Sequence, residues 1–248
     1  MTAANSMSSF VDSQFRALGR EDLPPEVEMG GEVYRLKRRY KHGFMAAVGM
    51  YEGNGKQITC KWHRRASFFG IPLSWLGRLS VAYEKMVLRQ VDDLEGVPRF
   101  CGQPDPWSIT HVFVPGEPLH KDVAVDDRFF PRLLDLLERL HDRGIVYVDL
   151  EKTQNILRGD DGRPYLIDFQ TAFYVPCKWL AETSFFRFLR ERLQKADRYH
   201  AMKHFRRVRP DRLTAEEIAR TRQKPFSVRL GNLLVAPYKK LRRLFFSK

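Results

Sequence analysis

The chain has 248 residues, 43 Lys+Arg against 30 Asp+Glu for a formal charge of +13, and 43% hydrophobic residues. That is enough apolar material for the core of one two-lobed domain or of two small ones, and it excludes global disorder. No run approaches the roughly 18 uninterrupted apolar residues of a membrane-spanning helix, and Met1–Arg20 is polar where a signal peptide has an apolar centre, so a cytoplasmic protein is expected.

Residues 1–28 are polar, carry Pro24-Pro25 and show no period, so they read as a loose lead-in. Two β-compatible stretches, Glu32–Tyr40 and Phe44–Tyr51, run into Asn54-Gly55, and Gln57–Trp62 resumes a strand. Asn-Gly between apolar runs predicts a hairpin. Trp75–Val91 repeats apolar residues at helical spacing and ends at Gly96-Val97-Pro98. Ile109–Val114 predicts another strand, stopped by Pro115-Gly116. Between Asp127 and Asp142, Phe130, Leu133, Leu134, Leu137, Leu140 and His141 follow the i, i+3, i+4, i+7 pattern of an amphipathic helix. Asp126 or Asp127 can cap its start, and Gly144 is placed for a left-handed stop. Asn155-Ile156-Leu157 and Tyr165-Leu166-Ile167 predict a short hairpin around the turn sequence Gly159-Asp160-Asp161-Gly162. Asp149 and Asn155 precede that hairpin, and Asp168 follows it.

The charge is unevenly spread. Residues 178–248 hold 20 basic and 6 acidic residues, whereas 1–177 are close to neutral. A basic tail on a neutral body fits phospholipid headgroups, a phosphorylated glycan, nucleic acid, or simply a solvated surface. Within Thr183–Leu193 and again over Leu241, Leu244, Phe245 and Phe246, apolar residues interleave with Arg and Lys. The same period describes a helix in a membrane interface and one packed on the body of the protein. RNA ranks third, because these aromatics are not arranged as a stacking platform. Cys60, Cys101 and Cys177 form no CxxC and no metal-ligand spacing, so reduced thiols are expected, with no disulfide framework and no zinc site.

Phosphoryl transfer requires hard oxygen ligands for divalent cations, a carboxylate to orient the attacking hydroxyl and a cation on the nucleotide phosphates. A helix, then Asp149 through Asn155, a hairpin, and Asp168-Phe169 present the first two in order. From Leu137 onward the sequence LERLHDRGIVYVDLEKTQNILRGDDGRPYLIDF resembles the catalytic loop and metal-binding segment of the protein-kinase-like superfamily. Ile58-Thr59-Cys60-Lys61 resembles that family's strand-three V-A-I-K. The resemblance covers roughly residues 32–175. It implies an α+β, two-lobed protein-kinase-like fold with a small β-rich lobe over 29–114 and a truncated, mainly helical lobe over 115–248. It also implies ATP and Mg2+ as cofactors. Asp149 corresponds to the catalytic aspartate, Asn155 and Asp168 to the metal ligands, and Lys61 to the phosphate-contacting lysine with Glu84 as its partner. Lys152 is the candidate that steadies the transferring phosphate, and the segment ending at Val114 supplies backbone to adenine.

Four departures stand out. Tyr147-Val148 replaces the motif's His-Arg, which removes the arginine that answers activation-loop phosphorylation. Asp149 and Asn155 are six positions apart where the family has five, so one residue must bulge. No GxGxxG precedes Lys61; the turn at His42-Gly43, with Arg38, Arg39 and Lys41, either covers phosphates by charge or is an exposed basic strand. Gln170 stands where the family has glycine after Asp-Phe. After Asp168 no A-P-E appears. This brevity looks more like Rio-type atypical kinases and bacterial lipopolysaccharide core sugar kinases than like ordinary protein kinases, and the basic tail suits the second. The function implied is phosphorylation of a hydroxyl on an anionic glycolipid or phosphosugar at the inner face of the membrane. The alternatives are a Rio-like protein kinase and a pseudokinase scaffold. All of this requires positions 61, 149, 155 and 168 to serve one triphosphate.

Overall fold

In the computed structural model, residues 11–222 are described. They divide into two compact units, one running to Asp93 and taking in Val97–Pro115, the other made of Leu94–Gly96 and the described chain from Gly116 onward.

The first unit is built on an antiparallel sheet of strands β1 (Glu26–Met29), β2 (Glu32–His42), β3 (Ala46–Gly53), β4 (Lys56–His63), β5 (Phe100–Gly102) and β6 (Ser108–Val112), in the order β1-β2-β3-β4-β6-β5. Asn54 and Gly55 form the whole β3–β4 loop, with φ of 49° and 70°, the two left-handed residues of a type I′ turn. That turn sets the register that places Lys61 between Val48 and Ile109. β4 is buried on both faces. Ile58, Cys60 and Trp62 enter a core with Leu18, Leu23, Val27, Tyr34, Ala47 and Tyr51. Thr59, Lys61 and His63 alternate to the other face, where they too are buried, against helix α1 (Ser74–Val91). Burial pushes the Cys60 thiol well above its ordinary value, which keeps it an unreactive apolar filler.

The expected lead-in over residues 1–28 departs from that reading in its second half. Ala17, Leu18, Leu23 and Val27 are buried, and the Tyr51 hydroxyl donates to the Pro24 carbonyl at 2.9 Å. The fully buried Arg64 donates to the carbonyls of Gln14, Phe44 and Ser67 at 2.8–3.0 Å, with its guanidinium 4.1 Å from the Phe44 ring centroid. The segment is therefore part of the first unit. Its few apolar residues show no period because they are spread over one short helical turn, a loop and the edge strand β1. The predicted strand Ile109–Val114 also ends early, at Val112.

In the second unit, helix α2 (Phe129–Asp142) buries Phe129, Phe130, Leu133, Leu136, Leu137 and Leu140. Asp126 serves as its turn residue, its carboxylate accepting the Arg128 N–H at 3.1 Å. The helix ends where Gly144 takes φ of 73°, with Gly144 N–H on His141 O and Ile145 N–H on Leu140 O, a Schellman motif. Strands β7 (Gly116–Pro118), β8 (Ile156–Gly159) and β9 (Pro164–Leu166) form a second antiparallel sheet in that order. Gly116, expected as a stop, instead opens β7. Helices α3 (Lys178–Ala181), α4 (Ser184–Val208) and α5 (Ala215–Arg222) follow. Phe205 of α4 stacks on Phe130 of α2, with centroids 4.5 Å apart.

Thr183–Leu193 is packed on the protein body in part and exposed in part. Phe186 stacks on Phe173 at 6.4 Å, whereas Phe185 and Phe188 are 67% and 56% exposed, beside a 74% exposed Trp179. The second predicted amphipathic stretch, 241–246, lies outside the described residues. Among the described residues no helix is long and apolar enough to cross a membrane.

Candidate active site

In the first unit, the Lys61 ammonium donates to both oxygens of Glu84 at 3.0 and 2.9 Å, and both side chains are almost completely buried. β4 alternation aims Lys61 at α1, and Glu84 sits on the helix face that also buries Val81, Val87, Leu88 and Val91. His63, two residues along the same face of β4, places Nε2 3.0 Å from Glu84 and is wholly buried. Glu84 thus serves two neighbours, of which the sequence reading identified one. Val114 lies just beyond β6, half-buried, and its amide and carbonyl make no backbone hydrogen bond among the described residues. His42 is held by Arg16, 2.7 Å from its Nδ1, and Arg39 pairs with Asp22 at 3.4 Å, so part of the basic turn is already engaged.

In the second unit the chemistry-bearing loop is two short 3-10 turns, Asp149–Glu151 and Thr153–Asn155. They absorb the extra residue between Asp149 and Asn155. Lys152 Nζ donates to Asp149 Oδ2 at 2.6 Å, and the Asn155 amide donates to the same oxygen at 3.1 Å. Both bonds fall on Oδ2, so Oδ1 of the 17% exposed Asp149 has no hydrogen bond among the described residues. The β8–β9 hairpin then returns the chain: Ile156 pairs with Leu166, and the Ile167 N–H bonds the Asn155 carbonyl at 3.0 Å. Asp168, the next residue, is thereby brought beside Asn155 in a left-handed conformation with φ of 68°.

Tyr147 explains how the replaced motif histidine is accommodated. Its buried phenol donates to the Ile167 carbonyl, lies 3.5 Å from the Asn155 carbonyl, and meets the Phe169 ring edge-on at 5.2 Å. One side chain therefore ties together the backbone that carries Asn155 and Asp168. Val148 adopts φ of 69°, a strained value for a β-branched residue that costs about 1–3 kcal/mol.

That strain is held by a residue the sequence reading missed. The fully buried Asp197 of α4 accepts the N–H groups of Tyr147 at 2.8 Å and Val148 at 2.9 Å, and lies 3.2 Å from His141 Nε2. Four residues of α4 at i, i+3, i+4, i+7 are buried: Asp197, His200, Ala201 and His204. A hydropathy period overlooks this stripe because three of its four members are polar; spacing of Asp and His at core positions in an Arg-rich helix was the available signal. Asp197→Ala should leave both backbone donors and His141 without their acceptor and lower stability by about 2–3 kcal/mol, measured by urea unfolding. A change below about 0.5 kcal/mol would contradict this anchoring role.

His204 completes the link, with Nε2 2.8 Å from the Leu150 carbonyl. Burial above all holds its pKa below the ordinary 6.5, against the opposing pull of the Leu150 bond, and the neighbouring His200, Lys203 and Arg207 lower it further. The unfolded chain thus takes up a proton below pH 6.5 that the folded chain resists. Stability from this group is full above that pH and is lost on acidification, by up to about 1.4 kcal/mol per pH unit. In urea unfolding at pH 7 and pH 5, the native protein should lose more stability than His204→Gln; equal losses would contradict the assignment.

Asn155 spends its amide on Asp149, leaving its side-chain oxygen as the atom it can offer a cation, and Asp168 adds a carboxylate. Two hard oxygen ligands suit Mg2+, which takes its remaining ligands from phosphate and water. Among the described residues no cluster of three or more His, Cys, Asp or Glu could hold a metal ion.

No protein-family model matches the chain, and no curated protein matches it. Among solved structures it is similar to the Rio2 kinase–ADP/Mg2+–phosphoaspartate complex from Chaetomium thermophilum, with a TM-score of 0.53 and 19% sequence identity. The match covers 73% of this chain and 58% of the length of that one. With an antiparallel sheet and one long helix in the first unit, and a loop–hairpin–loop order running from Asp149 to Asp168 in the second, this similarity shows that the chain has a protein-kinase-like fold.

Proposed function

We propose that this protein is an ATP- and Mg2+-dependent phosphotransferase that phosphorylates a hydroxyl, with a sugar of a membrane-associated glycolipid, such as lipopolysaccharide core, as acceptor. The observation that carries the reading is the cluster of Asp149, Lys152 and Asn155 at the root of the hairpin that delivers Asp168. Bound ATP would supply the phosphoryl group and Mg2+ would neutralise charge on its phosphates. In this reading Asn155 and Asp168 hold the cation, Lys61 is kept extended by Glu84 to contact phosphate, and Val114 offers backbone to adenine. Asp149 presents Oδ1 to the acceptor hydroxyl and takes its proton as the oxygen–phosphorus bond forms and the bond to ADP breaks. Lys152, already 2.6 Å from Asp149, neutralises charge at the transferring group.

The acceptor assignment is supported by the exposed Trp179, Phe185 and Phe188 among Lys178, Arg187 and Arg192, a combination suited to an anionic lipid interface. Peripheral contact with the inner face of the membrane belongs to the same reading. A second reading, a Rio-like protein kinase, is favoured by the similarity to the Rio2 kinase complex.

Incubating the full chain with γ-labelled ATP and Mg2+, with and without extracted envelope glycolipid, tests both. Label on the glycolipid is the expected result. Label on protein alone favours the second reading, and no transfer to either would overturn the assignment as a phosphotransferase.

A further inference from the structure

A cavity of about 300 Å³ lies wholly within the second unit, walled on one side by the loop from Glu151 to Gln154 and on the other by α4, through Lys203, His204 and Arg207. The bond from His204 to the Leu150 carbonyl fixes the distance between the two walls. Lys203 and Arg207, four residues apart, share one face of the helix. Arg190 and Arg198 of the same helix each meet a carboxylate, Glu182 at 3.9 Å and Glu138 at 4.0 Å. Lys203 and Arg207 have no ion-pair partner among the described residues, and Lys152 completes the cationic lining against the single carboxylate of Glu151.

We propose that this cavity binds a phosphomonoester carried by the acceptor, gripped by Lys203 and Arg207, so that a hydroxyl of the same molecule reaches Asp149. The proposal rests on the phosphotransferase reading and narrows its acceptor to one that is already anionic. A phosphomonoester carries close to two negative charges and three strong acceptor oxygens at neutral pH, matched by the arginine fork and the lysine point charge. The placement follows from Lys152, which lines the cavity and bonds Asp149, so the bound group lies one side chain from the reacting carboxylate. An acceptor of this kind must come from an earlier phosphorylation or phosphosugar transfer.

The test reads binding to the full chain without turnover. Titrating inorganic phosphate and glucose 6-phosphate into the protein by calorimetry should give saturable binding that weakens at least about tenfold in Lys203→Gln/Arg207→Gln. Vesicles of phosphatidylcholine with and without phosphatidic acid form a parallel arm. A response to glucose 6-phosphate but not to phosphatidic acid identifies a soluble phosphosugar, and the reverse identifies a lipid headgroup; either supports the site if the double variant removes it. Absence of saturable binding in both arms, or equal affinity in the double variant, overturns the proposal. Arg207→Gln alone, at an exposed position, keeps the test informative if the double variant does not fold. Because no step of the assay needs transfer, a failure here is separate from a failure of glycolipid labelling.

Discussion

Asp149→Ala is expected to lower phosphoryl transfer by at least about 10³-fold while leaving the protein folded. The carboxylate is 17% exposed and its partner Lys152 is 61% exposed, so losing their contact returns an ammonium to water and costs about 1 kcal/mol or less. Asn155 loses one acceptor, a further cost of about 1 kcal/mol. Removing the group that orients the hydroxyl and takes its proton forfeits general-base catalysis, worth about 10²–10⁴-fold, together with the positioning of the acceptor. Rates with γ-labelled ATP, read beside near-UV circular dichroism and thermal melting, separate the two effects. Full activity in the purified variant would refute the role assigned to Asp149.

Glu84→Ala should lose stability as well as transfer, with stability falling by about 3–5 kcal/mol. Lys61 and Glu84 are 7% and 4% exposed, and the substitution leaves a buried ammonium without its carboxylate while His63 loses the same neighbour. Replacing both charges with apolar residues, as in Lys61→Met/Glu84→Leu, is expected to recover most of that stability, because the desolvation cost of each ion then disappears with it. The double variant should still transfer no phosphate. This thermodynamic cycle in urea distinguishes a pair kept for stability from one kept for chemistry. Glu84→Ala within about 1 kcal/mol of the native protein would show that the pair is not buried as described.

Particular residues show how far local information reaches. Asn54-Gly55 dictates a two-residue hairpin by the backbone angles only such residues tolerate, and α1 and α2 announce themselves through apolar period. Gly144 ends α2 for a reason confined to its own φ. The candidate site was readable through the resemblance to the protein-kinase-like superfamily, which sets Asp149, Asn155 and Asp168 in order around one short hairpin and implies Glu84 as the partner of Lys61. The three-residue strands β5 and β7 were not readable, since neither has a period nor, unlike the equally short β9, a hairpin turn beside it to announce its pairing. The segment leading into β1 was misjudged for want of a period too. Its apolar residues are spread over one short helical turn, a loop and β1 itself.

Asp197 marks the boundary between the two kinds of information. Nothing near it in the chain says that its carboxylate receives the amides of Tyr147 and Val148, some 50 residues away. The same holds for His63 beside Glu84 and for Lys203 and Arg207 facing the loop at Lys152. Turn chemistry, helix period and the succession of chemical groups depend on neighbours along the backbone and are encoded locally. Which polar groups may be buried, and which cations are left without a carboxylate, depends on partners that only packing brings within reach, because a buried charge or N–H is tolerable only where a matching group arrives to meet it.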